Sequence, residues 1–173
     1  MKQKKSTLYL LAALFAALTA ICSQIQIPLP MIPINLALFS VLLCGALLGP
    51  KMAGLSMTVY VLLGAVGAPV FAGMQGGAGV LFGKTGGYIL GYIAAAVCVG
   101  ILAKLWGTRF WRLCGAMAVG TAVCYTVGTI WFIIVTKLPL WTSLVYCVFP
   151  FLIGDAAKIA LAAFLSGKLQ RWT

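Results

Sequence analysis

Residues 88–106 read Tyr-Ile-Leu-Gly-Tyr-Ile-Ala-Ala-Ala-Val-Cys-Val-Gly-Ile-Leu-Ala-Lys-Leu-Trp, an apolar run broken by one charge, Lys104, close to its end. As an α-helix this stretch rises about 28 Å, close to the roughly 30 Å of a bilayer's hydrocarbon core. It shows no alternation of polar and apolar residues, so it is not a barrel strand, and in lipid a single segment must satisfy its own backbone hydrogen bonds. The run therefore predicts a membrane-spanning helix. Breaking the rest of the sequence at proline, glycine and charge yields five more such runs, Leu8–Ile27, Ile34–Gly49, Ala53–Ala68, Leu113–Val135 and Leu144–Leu165. Two of them, residues 34–49 and 53–68, are short for a span but tolerable beside longer neighbours. The expected fold is an all-α integral membrane protein, a six-transmembrane-helix bundle formed by a single membrane domain covering residues 1–173.

Charge orients the bundle. With the N-terminus in the cytoplasm, the inner side receives Lys2, Lys4, Lys5, Lys51, Lys104, Arg109, Arg112, Lys168 and Arg171, and the outer side only Lys84 and Lys137. Nine cations against two obey the positive-inside rule, so both termini are expected in the cytoplasm and the chain in the cell membrane. The apolar stretch after Lys5 reads as a first span rather than a cleaved signal peptide, because further spans follow it.

Composition narrows the possible functions. The chain is 64% apolar and 8% charged, against about 45–50% and about 25% in soluble domains; the mean hydropathy is +1.14. A net charge of +11 would suit nucleic acid if the cations shared one solvated face, but here they bracket apolar runs, which points to lipid headgroups and to no nucleic-acid partner. With no histidine and a single acidic residue, the chain cannot assemble a zinc-protease site, a Ser-His-Asp triad or paired catalytic carboxylates. It has no GxxxxGK[ST] loop either, so energy from ATP must come from a partner. The expectation is a non-enzyme with no cofactor and no metal site. The six cysteines (Cys22, Cys44, Cys98, Cys114, Cys124, Cys147) form no CxxC and read as small apolar packing residues.

The only carboxylate, Asp155, lies near the middle of the last run, with Lys158 three residues on. At the centre of a span each costs about 2.5–3.5 kcal/mol on insertion scales. The i, i+3 spacing sets both on one helix face, where they can pair with each other or with a shared ligand. An internal clamp between helices is one reading; a substrate or ion site is the other, and Asp155 would then be the proton site of an autonomous, proton-coupled carrier or the contact of a captured solute. Gly154 would admit close approach, and Pro150 would loosen the helix on the outer side.

Two outer loops are also unusual. Pro28-Leu29-Pro30-Met31-Ile32-Pro33 is stiffened by proline, and residues 69–87 carry Gly73, Gly76, Gly77, Gly79, Gly83, Gly86 and Gly87. Both could form a lid or pocket wall. In the first run Ala12, Ala16 and Ala20 make one row of small residues four apart and Ala13 and Ala17 a second, suited to close packing within the chain or against another membrane subunit.

Taken together, AALFAALTA (12–20), QIPLPMIP (26–33), GALLGP (45–50), YVLLGAVGAPVFAG (60–73), GGAGVLFGKTGGYILG (76–91) and FPFLIGDAAK (149–158) resemble the BioY-type substrate-binding (S) components of energy-coupling-factor (ECF) transporters, which bind biotin. The resemblance implies an outward-facing vitamin pocket and partners comprising a membrane coupling (T) subunit and two ATPase subunits. It assigns Asp155 and Lys158 to the biotin head, whose ureido ring offers two N–H donors and one carbonyl acceptor. In the lid region it points to Gln75, Lys84 and Tyr88 as ligand contacts, Lys84 facing the ligand carboxylate, although relatives commonly have proline at that place. Asn35 stands where many relatives carry a Thr-Leu-Gln-Thr type of sequence and is a further expected contact. Ala12 and Ala16 are the expected coupling-subunit interface.

Overall fold

In the computed structural model, which describes residues 5–27 and 32–169, the chain forms seven helices and one short hairpin. The order is α1 (Lys5–Gln24), β1 (Gln26–Ile27), β2 (Ile34–Asn35), α2 (Ala37–Ala65), α3 (Ala78–Phe82), α4 (Gly86–Trp106), α5 (Phe110–Thr136), α6 (Leu140–Cys147) and α7 (Phe149–Leu169). Five of them, α1, α2, α4, α5 and α7, are long and apolar enough to cross a bilayer. Lys2, Lys4, Arg171 and the Pro28–Met31 part of the proline loop lie outside the described residues.

The runs expected at 34–49 and 53–68 share one helix assignment, α2, with Ile34 and Asn35 given over to β2 and residues 66–68 lying past its end, and α2 is not one rod. Gly49 has φ 71° and ψ 175°, a conformation that is open to glycine and strained for other residues. Thr19 Oγ1 on α1 lies 3.0 Å from Ser40 Oγ and 3.9 Å from Met57 Sδ. In an unbroken helix those two partners would stand about 25 Å apart along the axis. Both meet the same hydroxyl because the chain reverses at Gly49, and Pro50 begins the return half, where its missing N–H leaves no bond unmade. The turn packs so tightly on α4 that a Cβ at Gly100 would run into the Pro50 backbone.

The expected run 144–165 is also redrawn. It breaks at Val148 into the short α6 and the long α7. Pro150 sits in the first turn of α7, so it starts a helix rather than loosening one midway. Gly154 does not mediate close approach, since a Cβ there would meet nothing within 4 Å.

α2 and α4 form the centre, with α1 and α7 against α2 and α5 against α4. Tyr60, Met57, Leu42, Phe71, Leu113, Met117 and Phe132 are fully buried there. Large apolar side chains also cover the outside, among them Leu14, Ile21, Ile130, Ile134 and Ile153. Such a surface is a liability in water and an asset in lipid.

The alanine rows of α1 are sorted by this packing. Ala12 and Ala16 are each 3% exposed, and Ser56 of α2 donates to the Ala12 carbonyl at 2.6 Å. These two alanines are part of the internal α1–α2 seam. The second row, Ala13 and Ala17, is exposed together with Leu10, Leu14 and Ile21.

Candidate functional site

One turn of α7 carries the charged pair inward. Asp155 is 3% exposed, and the Lys158 ammonium donates to its Oδ1 at 2.7 Å. The second carboxylate oxygen, Oδ2, accepts a hydrogen bond from the Tyr125 hydroxyl of α5. Lys158 also donates, at 2.7 Å, to the backbone carbonyl of Asn35 in β2. Three segments distant in sequence, α7, α5 and β2, thus meet at one point, and each charge is matched, as burial of charge requires.

These groups form the floor of a cavity of about 670 Å³, inside the roughly 300–1,000 Å³ range of small-molecule sites. Its walls are aromatic and aliphatic, with Tyr60, Tyr92, Phe71, Phe151, Leu38 and Ile89 among them. Asp155, Lys158, Asn35, Tyr88, Lys84 and Gln75 all line this one space. The sequence places them on four different elements and loops, and only the fold gathers them.

Their surroundings differ. Tyr88 is buried and its hydroxyl is 3.1 Å from Thr129 Oγ1 of α5; its ring lies where a Cβ at Gly128 would be, so it serves the α4–α5 contact as well as the cavity wall. The Asn35 side chain is engaged locally, its Oδ1 accepting the Ala37 N–H at 3.1 Å at the start of α2. Gln75 and Lys84 are exposed at the cavity's rim, in the glycine-rich loop.

That loop is held down as a roof. The carbonyl of Val70 lies 2.6 Å from Ser23 Oγ and 3.2 Å from Tyr60 OH. Gln24 donates to the Phe71 carbonyl at 3.0 Å and accepts from Met74 N–H at 2.8 Å. Phe71 plugs the underside: its ring occupies the space a side chain at Gly64 would need, edge-on to Tyr60 at 5.6 Å. At the far end Trp131 Nε1 donates to the Gly83 carbonyl at 3.1 Å. The β1–β2 hairpin, with Gln26 opposite Asn35, closes the remaining side.

Sequence reasoning missed Tyr125, Tyr92 and Gln26. Tyr125 is the only tyrosine of α5, a polar tip in an apolar span, and that was its one available signal. Gln26 lines the cavity, and its Oε1 is buried with no hydrogen-bond partner among the described residues. No group of three or more metal-ligating side chains occurs among the described residues.

A cavity of this kind, with an apolar wall and a few convergent polar groups, is built to hold a small molecule. The model of the BioY family matches residues 1–173. The chain is 36% identical over 160 residues to a probable biotin transporter BioY of Pyrococcus horikoshii, covering 92% of this chain and 94% of that protein. It is likewise 36% identical over 163 residues to the biotin transporter BioY of Thermotoga maritima, again covering 92% and 94%. The crystal structure of the S-component for biotin from an ECF-type ABC transporter superposes with a TM-score of 0.91 at 26% identity, covering 99% of this chain and 94% of that one. The match over its full length and the shared fold establish that the chain belongs to the BioY family.

Proposed function

We propose that this chain captures biotin at the outer face of the cell membrane as the substrate-binding subunit of an ECF-type transporter. It is a multi-pass membrane protein and not an enzyme, and its task is binding and import. The observation that carries the reading is the meeting of Asp155, Lys158, Tyr125 and the Asn35 carbonyl at the floor of a partly open cavity. Asp155 accepts an N–H of the ureido ring and Lys158 donates to its carbonyl, both as charge-assisted bonds in a water-poor site. Tyr60, Tyr92, Phe71 and Phe151 embrace the thioether ring and the aliphatic chain. Lys84 and Gln75 at the rim face the ligand's carboxylate.

Six spans with both termini in the cytoplasm fit this task. The reading counts the two antiparallel halves of α2 separately and is supported by the reversal at Gly49 and by the excess of cations on one side. The cavity then opens outward beneath the glycine-rich loop. A T subunit and two ATPase subunits supply the energy, since the chain has no phosphate-binding loop of its own. The exposed Ala13–Ala17 face of α1, stripped of the buried Ala12 row, is where the coupling subunit docks.

Equilibrium binding of radiolabelled biotin to the detergent-purified protein tests the reading. One saturable site per chain, displaced by unlabelled biotin and not by niacin or thiamine, is expected. Saturable binding of another vitamin in its place, or of none, would reject it.

A further inference from the structure

The polar groups on the cavity floor have an order as well as an identity. The Lys158 ammonium carries three N–H donors; one goes to Asp155 Oδ1 and one to the Asn35 carbonyl, both at 2.7 Å. The third remains for a ligand. The row is therefore acceptor, donor, acceptor: a carboxylate oxygen, an ammonium, and a backbone carbonyl. Each of the two acceptor oxygens keeps a lone pair beyond the one Lys158 uses.

A cyclic urea presents the complementary row along one edge, N–H, C=O, N–H. The carbonyl separates the two donors, so one carboxylate beside the ammonium cannot reach both. We infer that the backbone carbonyl of Asn35 is a specificity-determining group that reads the second ureido N–H, with Asp155 reading the first and Lys158 the carbonyl between them. This rests on the biotin reading above and adds to it a main-chain contact from the β1–β2 hairpin. The Asn35 side chain is turned to the start of α2, its Oδ1 accepting the Ala37 N–H, whereas the main-chain carbonyl is the Asn35 atom that sits against Lys158. A main-chain contact is indifferent to residue type. It also means that the ligand ties α7 to β2, and through the Gln26–Asn35 register to the hairpin beside the cavity.

The test compares binding of biotin, 1′-N-methylbiotin and 3′-N-methylbiotin to the full-length wild type, Asp155→Asn and Asn35→Ala. In the wild type each methyl group is expected to weaken binding at least about tenfold relative to biotin, because each removes one donor and leaves a buried acceptor unmet. In Asp155→Asn the penalty shrinks for one analogue and stays for the other. In Asn35→Ala both penalties persist, since the main-chain carbonyl is retained. The inference is overturned if the wild type tolerates either analogue, if Asp155→Asn relieves both penalties alike, or if Asn35→Ala relieves one. Failure of the wild type to bind biotin at all would instead reject the functional reading on which the inference stands.

Discussion

Replacing the charged pair as a unit separates a binding site from a folding clamp. Lys158→Met alone strips Asp155 of its ammonium and leaves it 3% exposed with the Tyr125 hydroxyl as its remaining partner. Removing one partner of a fully buried pair costs about 3–5 kcal/mol of stability. Here the Tyr125 hydroxyl still matches one carboxylate oxygen, so the unfolding free energy is expected to fall by less than that. The double variant Asp155→Leu/Lys158→Met has no charge to strand, and apolar replacements of similar size are often neutral or stabilising. Its unfolding temperature should return to the wild-type value or exceed it. Biotin binding should not return: the double variant lacks the ammonium donor and the carboxylate acceptor, each worth about 1.5–3 kcal/mol as a hydrogen bond to a charged group. The expected weakening is thus about 3–6 kcal/mol, a factor between roughly a hundred and some tens of thousands. Thermal unfolding in detergent and equilibrium binding on the same preparations give both numbers. A double variant that binds within about threefold of wild type would show that the pair serves the fold alone, and would refute the reasoning.

Other perturbations test separate parts of the account. Lys84→Ala should weaken biotin several-fold, as expected for an exposed charge pair worth up to about 1 kcal/mol, and should leave biotin amide unaffected; equal effects on the two ligands would remove Lys84 from the carboxylate. Gly64→Ala pushes a methyl group into the space of the Phe71 ring, so overpacking of about 1–3 kcal/mol is expected, together with faster hydrogen exchange at residues 70–77 and weaker binding. Ala13→Trp should preserve biotin binding and abolish uptake, whereas Ala16→Leu, inside the α1–α2 seam, should lower the unfolding temperature; the reverse pattern would return the docking face to the Ala12 row. Uptake in cells deprived of the coupling ATPases should stop, and uptake there that followed pH or membrane potential would favour an autonomous carrier.

How far the molecule was legible beforehand varies with the physics involved. The apolar runs were legible because the cost of polar groups in lipid is large and uniform along the chain. Asp155 and Lys158 stood out for the same reason, as charges where charge is expensive. Their partner Tyr125 did not, because an aromatic ring is at home in a span and its hydroxyl matters only once the rotation of α5 against α7 is known. Two rows of alanine lie on neighbouring faces of α1, and periodicity treats them alike; the hydroxyls of Ser56 and Thr19 decide which row turns inward. The reversal at Gly49 was legible too, because Gly49-Pro50-Lys51 separates two apolar runs and its cation belongs on the inner side. At Val148 the chain breaks without any glycine or proline at that residue, and Pro150 was assigned to the middle of a run because nothing local distinguishes a kink from a new first turn. Gln26 belongs to a stretch noted for its prolines, and its buried amide emerges only from the pairing of the hairpin.

The most direct measurement is a structure of the purified protein with biotin bound. The account predicts the ureido ring on the cavity floor, its carbonyl within hydrogen-bond reach of Lys158 Nζ and its two N–H groups on Asp155 and the Asn35 carbonyl, with the carboxylate near Lys84. A ureido ring seated at the rim with the valeryl carboxylate against Lys158, or density for biotin outside this cavity, would contradict it.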